Sequence, residues 1–237
     1  SPSYPTRRFA PPPATALLPR APFTTSPAPP LPSLYHKANR GNYGDARYPG
    51  NCSGELIKGL LKYFKTKRVL DPMTGSGTCR DVCRELGIEC VSFDLSDGKD
   101  ACDPASYEGL GFFDFVWIHP PYWRQKIYSN DPRDLSSCKA LGEFLQRYFM
   151  LMLQCRDSLS NGGKLAVLLG DYQDREAGFC PLVYETKRLA FAMKLQQHCT
   201  DIIRFSHGAS SSKKVYRSSF IPGLHDVCMI FEKPSTV

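Results

Sequence analysis

The stretch WIHPPYW, Trp117 to Trp123, ends an apolar run with a histidine, two prolines and two aromatic residues. Two consecutive prolines make a rigid turn that cannot join a strand ladder. A neutral histidine in front of such a turn offers one acceptor nitrogen, and an aromatic ring behind it offers a flat apolar face. Upstream, VLDPMTGSGT, Val69 to Thr78, puts an acidic residue at a strand end and then two glycines, a pattern that lets backbone approach a ligand closely. Asp94 ends the next apolar stretch, where a carboxylate can accept hydrogen bonds from a ribose diol. A dinucleotide loop would want a third glycine, but Arg80 holds the offset position, and the Gly-Lys-Ser/Thr ending of a triphosphate loop is missing. These residues read as a nucleoside-sized binding loop facing a stiff turn that carries an acceptor and a ring.

Alternating elements must position these groups. SGELIKGLLKYF has helical period and KRVLDP reads as a short strand. TCRDVCRELG is a helix stopped by Gly87, and IECVSFDL is the next strand, which together make a strand, loop, helix and strand of the parallel doubly wound kind. FFDFVWIHPPY is a buried strand running into the turn, followed by the helix LGEFLQRYFMLMLQCRDSLS and the strand GGKLAVLLGD. A helix over 183–197 and closing strands in DIIRFSH and DVCMIFEK complete the pattern.

The 237 residues suffice for one sizeable core. More than half of the 20 prolines precede Leu34, so residues 1–34 are expected to be an extended or disordered tail or linker, and 35–237 a single domain. The net charge of +7 favours an acidic partner such as nucleic acid. No apolar run approaches bilayer length and no secretory pattern opens the chain, so a protein of the cytoplasm, or otherwise associated with DNA, is expected. The 10 cysteines are scattered with no Cys-x-x-Cys pair, which fits a reducing compartment. Cys79 and Cys83 share a helical face and read as packing residues, with no metal expected.

Asp71, Pro72, Gly75, Gly77 and Thr78 match the first motif, Asp-Pro-Phe-x-Gly-x-Gly-Thr, of class I methyltransferases that use S-adenosylmethionine, with Met73 in place of Phe. With HPPYW downstream, the chain resembles the DNA amino-methyltransferases over about Gly44 to Lys233. The resemblance implies a Rossmann-like, doubly wound, mostly parallel sheet with an antiparallel closing strand. It implies that Tyr48, Asn51, Asp71, Pro72, Thr74, Gly75, Gly77, Thr78, Asp94 and Asp100 bind S-adenosylmethionine, with Asp103 a rival of Asp100 at the adenine. It also implies that His119 and the carbonyl of Pro120, held by Pro121, accept the N–H bonds of an exocyclic amine while Tyr122 stacks on a flipped base. The family carries Asp, Asn or Ser where His119 stands; a neutral imidazole can replace that acceptor, so activity should fall as the imidazole takes up a proton.

Adenine N6 is expected before cytosine N4. A cytosine C5 reaction needs a nucleophilic cysteine in a Pro-Cys dipeptide, which is absent from the turn. Trp123, Arg124, Lys126, Lys213, Lys214 and Arg217 are the expected nucleic-acid contacts. Little chain remains for target recognition, which leaves short specificity, a homodimer or a partner chain. The alternatives are an RNA or protein-amide methyltransferase, and a non-catalytic nucleic-acid-binding module in which His119 has ended the chemistry.

Overall fold

The computed structural model describes residues 18–19, 24–25, 31–36, 53–205 and 221–235. Its strands are β1 (Leu34–His36), β2 (Arg68–Asp71), β3 (Glu89–Ser92), β4 (Phe113–Ile118), β5 (Leu159–Leu169), β6 (Tyr172–Asp174), β7 (Gly178–Cys180), β8 (Gln196–Gln197), β9 (Ile202–Phe205) and β10 (His225–Glu232). The α-helices are α1 (Gly54–Tyr63), α2 (Thr78–Leu86), α3 (Leu141–Ser158) and α4 (Leu182–Ala192). The main sheet runs β3-β2-β4-β5-β10-β9-β1, and β8 pairs with the end of β10. Strands β3, β2, β4 and β5 are mutually parallel, and β10 is antiparallel to both β5 and β9. This is the doubly wound, mostly parallel α/β sheet with an antiparallel closing strand that the sequence led us to expect.

Side-chain alternation explains why helices cover both faces. In β5, Leu165, Val167 and Leu169 join one apolar cluster with α3 and α4, whereas Ala166 and Leu168 join a second with α1 and α2. Val227, Met229 and Phe231 of β10 face the first cluster, and Cys228 and Ile230 the second. A strand buried on both sides reads as a continuous apolar run, as Phe115 to Ile118 of β4 do. On α1, Leu56, Ile57, Leu60 and Leu61 are buried at helical spacing and close the second cluster.

Several elements differ from the sequence reading. The strand expected in GGKLAVLLGD begins earlier, with Leu159 opposite Phe113, and the register shifts between Phe113 and Phe115. The helix expected over 183–197 ends at Ala192. Lys194 turns left-handed with φ 65°, and the amide of Leu195 reaches back to the carbonyl of Ala190 at 3.0 Å. The β6–β7 hairpin and β8 had no readable period. The last residues of the expected tail belong to the sheet edge: the amide of Ile203 donates to the carbonyl of Ser33 at 2.7 Å, and Leu31 packs on the second cluster. Among the described residues, no helix is long and apolar enough to cross a membrane.

Candidate active site

The carboxyl ends of β2, β3, β4 and β5 share one edge of the sheet. The chain crosses from β2 outward to β3 and returns on the far side as β4, and a crevice opens where the strand order reverses. A cleft of about 910 Å³ lies there. Asp71, Pro72, Met73, Thr74, Gly75, Ser76 and Thr78 line one side, Asp94 and Asp100 a second, and His119, Pro120, Pro121 and Tyr122 a third.

The glycine loop is held by its own backbone. The amide of Phe93 donates to the carbonyl of Asp71 at 3.1 Å, that of Thr74 to Phe93 at 3.0 Å, and that of Gly77 to Thr74 at 3.0 Å. Gly75 and Gly77 both have positive φ, 54° and 85°, which explains the residue type at each. Gly77 does not line the cleft: it caps α2, and a Cβ there would collide with the Arg80 guanidinium. Asp71 is 3% exposed and accepts from the Met73 amide at 3.3 Å. Burial, and then the nearby Cys90 thiol, pushes its carboxyl up to about 8.

Asp94 faces the loop from the end of β3. Its Oδ1 accepts from the Gly75 amide at 3.4 Å and its Oδ2 from the Ser96 hydroxyl at 2.9 Å, so the carboxylate is fixed. The Ser96 amide also donates to Oδ2, at 3.4 Å, so of about four acceptor sites one, on Oδ1, is left for a ligand hydroxyl. Asp100 lines the cleft beside Arg147, whose Nη2 lies 3.3 Å from its Oδ2. Asp103 is exposed, caps a short 3-10 helix through the Ala105 amide and does not line the cleft.

The turn after β4 presents His119 half-buried, with its ring centroid 6.2 Å from that of Tyr122 and tilted by 54°. The Tyr122 hydroxyl donates to Asp226 Oδ2 at 3.0 Å. Asp226 in turn accepts from Arg204 Nε at 2.8 Å and Nη2 at 2.6 Å, across directly paired positions of β9 and β10. Arg204 is 1% exposed and Asp226 3%. Gly170 backs the tyrosine: a Cβ there would lie 3.0 Å from Tyr122 Cε2.

Two expected nucleic-acid contacts are corrected. Trp123 is 1% exposed in the core, with Nε1 donating to the Cys138 carbonyl at 2.8 Å, so its ring cannot line a base wall. Arg124 lies 4.3 Å over the Trp123 ring and grips the buried Asp174 through Nε at 2.7 Å and Nη2 at 2.6 Å. This pairing holds the Asp174 carboxyl well below the usual carboxylate range and commits the guanidinium to the β6 strand. Lys126 stays exposed at the mouth, its ammonium 5.9 Å from the Tyr128 ring. Tyr48, Asn51, Lys213, Lys214 and Arg217 lie outside the described residues.

Sequence reasoning missed Arg204, Asp226 and Arg147. Each sits inside a strand or helix, where a charge reads as solvated unless its partner is known. A buried Arg and Asp placed opposite one another on paired strands show up only once the register is fixed.

No protein-family model matches the chain, and no curated protein matches it in sequence. Solved structures match at low identity. A Thermus thermophilus protein provisionally assigned as a DNA modification methylase, in complex with S-adenosyl-L-methionine, shares 16% identity over 72% of this chain and 57% of its own, with a TM-score of 0.43. The chain thus spans little more than half of that protein's length. A SAM-dependent methyltransferase from Archaeoglobus fulgidus shares 16% identity over 76% of this chain and 95% of its own, with a TM-score of 0.46. The Burkholderia thailandensis 1,6-didemethyltoxoflavin-N1-methyltransferase, holding 1,6-didemethyltoxoflavin and S-adenosylhomocysteine, shares 13% identity over 77% of this chain and 79% of its own, with a TM-score of 0.48.

Proposed function

We propose that this protein is an S-adenosylmethionine-dependent methyltransferase acting on an exocyclic amine of a flipped DNA base, adenine N6 before cytosine N4. One observation carries the reading: the glycine loop, Asp94 and the His-Pro-Pro-Tyr turn open onto a single cleft across the switch point. The residues present fit the cofactor. The loop between Asp71 and Thr78 brings backbone to the ligand, Asp94 keeps an acceptor site on Oδ1 for a ribose hydroxyl, and Asp100 lies on the same wall.

S-adenosylmethionine supplies a methyl group on a sulfonium, open to direct attack by a nitrogen lone pair. The exocyclic amine of a base is a poor nucleophile because that lone pair is delocalised into the ring. The residues of this chain can relieve that in three ways. The acceptor nitrogen of neutral His119 takes one N–H, and the carbonyl of Pro120 takes the other, which turns the lone pair toward the methyl. Pro121 fixes the direction of that carbonyl. Tyr122, pinned through Asp226, offers its ring face to the extruded base. A protonated His119 would accept nothing and would repel the sulfonium, so methyl transfer weakens as that proton is taken up.

The test is transfer of labelled methyl to double-stranded DNA, single-stranded DNA and RNA in parallel, followed by nucleoside mass spectrometry. The expected product is N6-methyladenine in DNA, lost when His119→Ala is made and retained with His119→Asn. Methylated RNA alone would move the substrate. Cofactor binding with no methylated nucleoside in any polymer would overturn the reading in favour of a protein amide or a non-catalytic module.

A further inference from the structure

Behind the glycine loop, on the face of the sheet covered by α1 and α2, three thiols converge. Cys79 and Cys83 lie one helical turn apart on the buried side of α2, at 1% and 0% exposure, and Cys90 comes to meet them from β3. The three sulfur atoms all lie within 4.8 Å of one another. Among the described residues, this is the one group of three His, Cys, Asp or Glu side chains placed closely enough to share an ion. Nothing in the spacing of the sequence announces it, because Cys90 reaches the pair only when β3 folds back beside β2.

We propose that Cys79, Cys83 and Cys90 form a binding site for a soft divalent metal ion held by three thiolates beneath the glycine loop. Thiolate sulfurs about 2.3 Å from a common centre sit about 4 Å apart in a trigonal arrangement, so each sulfur needs to move by less than about 1 Å to close the site. An all-sulfur set selects thiophilic ions over magnesium, calcium or manganese, which want oxygen. Charge also favours a divalent ion. Three thiols bind it with release of three protons, 3 RSH + M²⁺ → M(SR)₃⁻ + 3 H⁺, and no electron is transferred. One negative charge remains. A monovalent ion would leave two negative charges in a largely buried site, at a higher desolvation cost.

The site has a way in, since Cys90 is only half-buried and β3 is the edge strand of the sheet. It also touches the cleft. Cys79 follows Thr78 directly, and both line the cleft wall, so an ion bound to all three sulfurs ties the exit of the glycine loop to β3.

The test uses the full chain, stripped of metal and reduced, titrated with cadmium chloride as the probe. Thiolate-to-cadmium charge-transfer absorption reports binding, and alkylation with peptide mass mapping reports which cysteines are shielded. The expected result is one cadmium per chain with Cys79, Cys83 and Cys90 shielded together. Cys90→Ser, at the half-buried position, should keep the fold by thermal melting yet weaken cadmium binding by at least about tenfold. Cys199→Ser, at an exposed thiol outside the cluster, should change nothing. Shielding of other cysteines, cadmium affinity unchanged in Cys90→Ser, or no shielding with excess cadmium would each overturn the site and leave the three thiols as core packing.

Discussion

Removing the Asp226 carboxylate should be among the costliest single changes available in this protein. Arg204 and Asp226 are 1% and 3% exposed and joined by two hydrogen bonds of 2.8 and 2.6 Å, with the Tyr122 hydroxyl as a third contact at 3.0 Å. The pair as a whole contributes little net stability, because desolvating both charges offsets most of their attraction. Breaking it is different: Asp226→Ala removes the carboxylate that accepts from Nε and Nη2 and leaves the buried guanidinium charge in place, which costs about 3–5 kcal/mol. At about 2–4 °C per kcal/mol for a chain of this size, Tm should fall by roughly 6–20 °C. Replacing both partners with apolar residues of similar volume, Arg204→Met with Asp226→Leu, should recover most of the loss. The double variant should still transfer methyl groups poorly, because the Tyr122 hydroxyl has lost its anchor. Urea and thermal melts of the wild type, Arg204→Met, Asp226→Leu and the double variant give the coupling energy directly. A loss below about 1 kcal/mol in Asp226→Ala, or a double variant no better than the single one, would refute the claim that the pair is desolvated and interdependent.

Other outcomes follow from the same geometry. Gly170→Ala should push on the Tyr122 ring, costing about 1–3 kcal/mol and raising the KM for DNA more than the Kd for S-adenosylmethionine. Asp94→Ala should weaken cofactor binding in calorimetry, since the carboxylate both holds Gly75 and faces the cleft. Lys126→Ala should weaken DNA binding uniformly and lower its salt slope by about one, whereas Arg124→Ala should lower Tm and leave that slope unchanged. Because Asp71 in the folded protein is raised from 3.8 to about 8, the folded state keeps a proton that the unfolded chain has released. Stability therefore falls as pH rises between about 4 and 8, by up to about 1.4 kcal/mol per pH unit, and Asp71→Asn should flatten that dependence in pH-resolved melts.

The sequence exposed those parts of the site in which a local physical demand dictates residue type. Gly75 and Gly77 stand out because their left-handed backbone excludes most side chains, and the two prolines because nothing else stiffens a turn so fully. The central strands were legible since the inner parts of β4 and β5, Phe115 to Ile118 and Leu165 to Leu169, are covered on both faces and read as apolar runs. Features depending on distant partners were hidden. Trp123 and Arg124 looked like surface residues beside a binding turn, and only the Cys138 carbonyl and Asp174, 15 and 50 residues away, draw them inward. The β6–β7 hairpin that carries Asp174 has three residues per strand, too few for a period to register.

The inward turn of Trp123 and Arg124 also bears on how the cleft can change over time. Tyr122 is clamped from both sides, by Asp226 through its hydroxyl and by the anchored indole and guanidinium that follow it in the chain. Under the proposed function, an incoming base would meet a side chain whose rotamer is already chosen, and so escape an ordering cost of about 0.5–1.5 kcal/mol. Stiffness of this kind lies with residues that touch no ligand. Random substitution at 123, 124, 174 or 226 should then yield variants that are slower toward every substrate alike, while drift in preference accumulates at exposed mouth positions such as Lys126 and Tyr128.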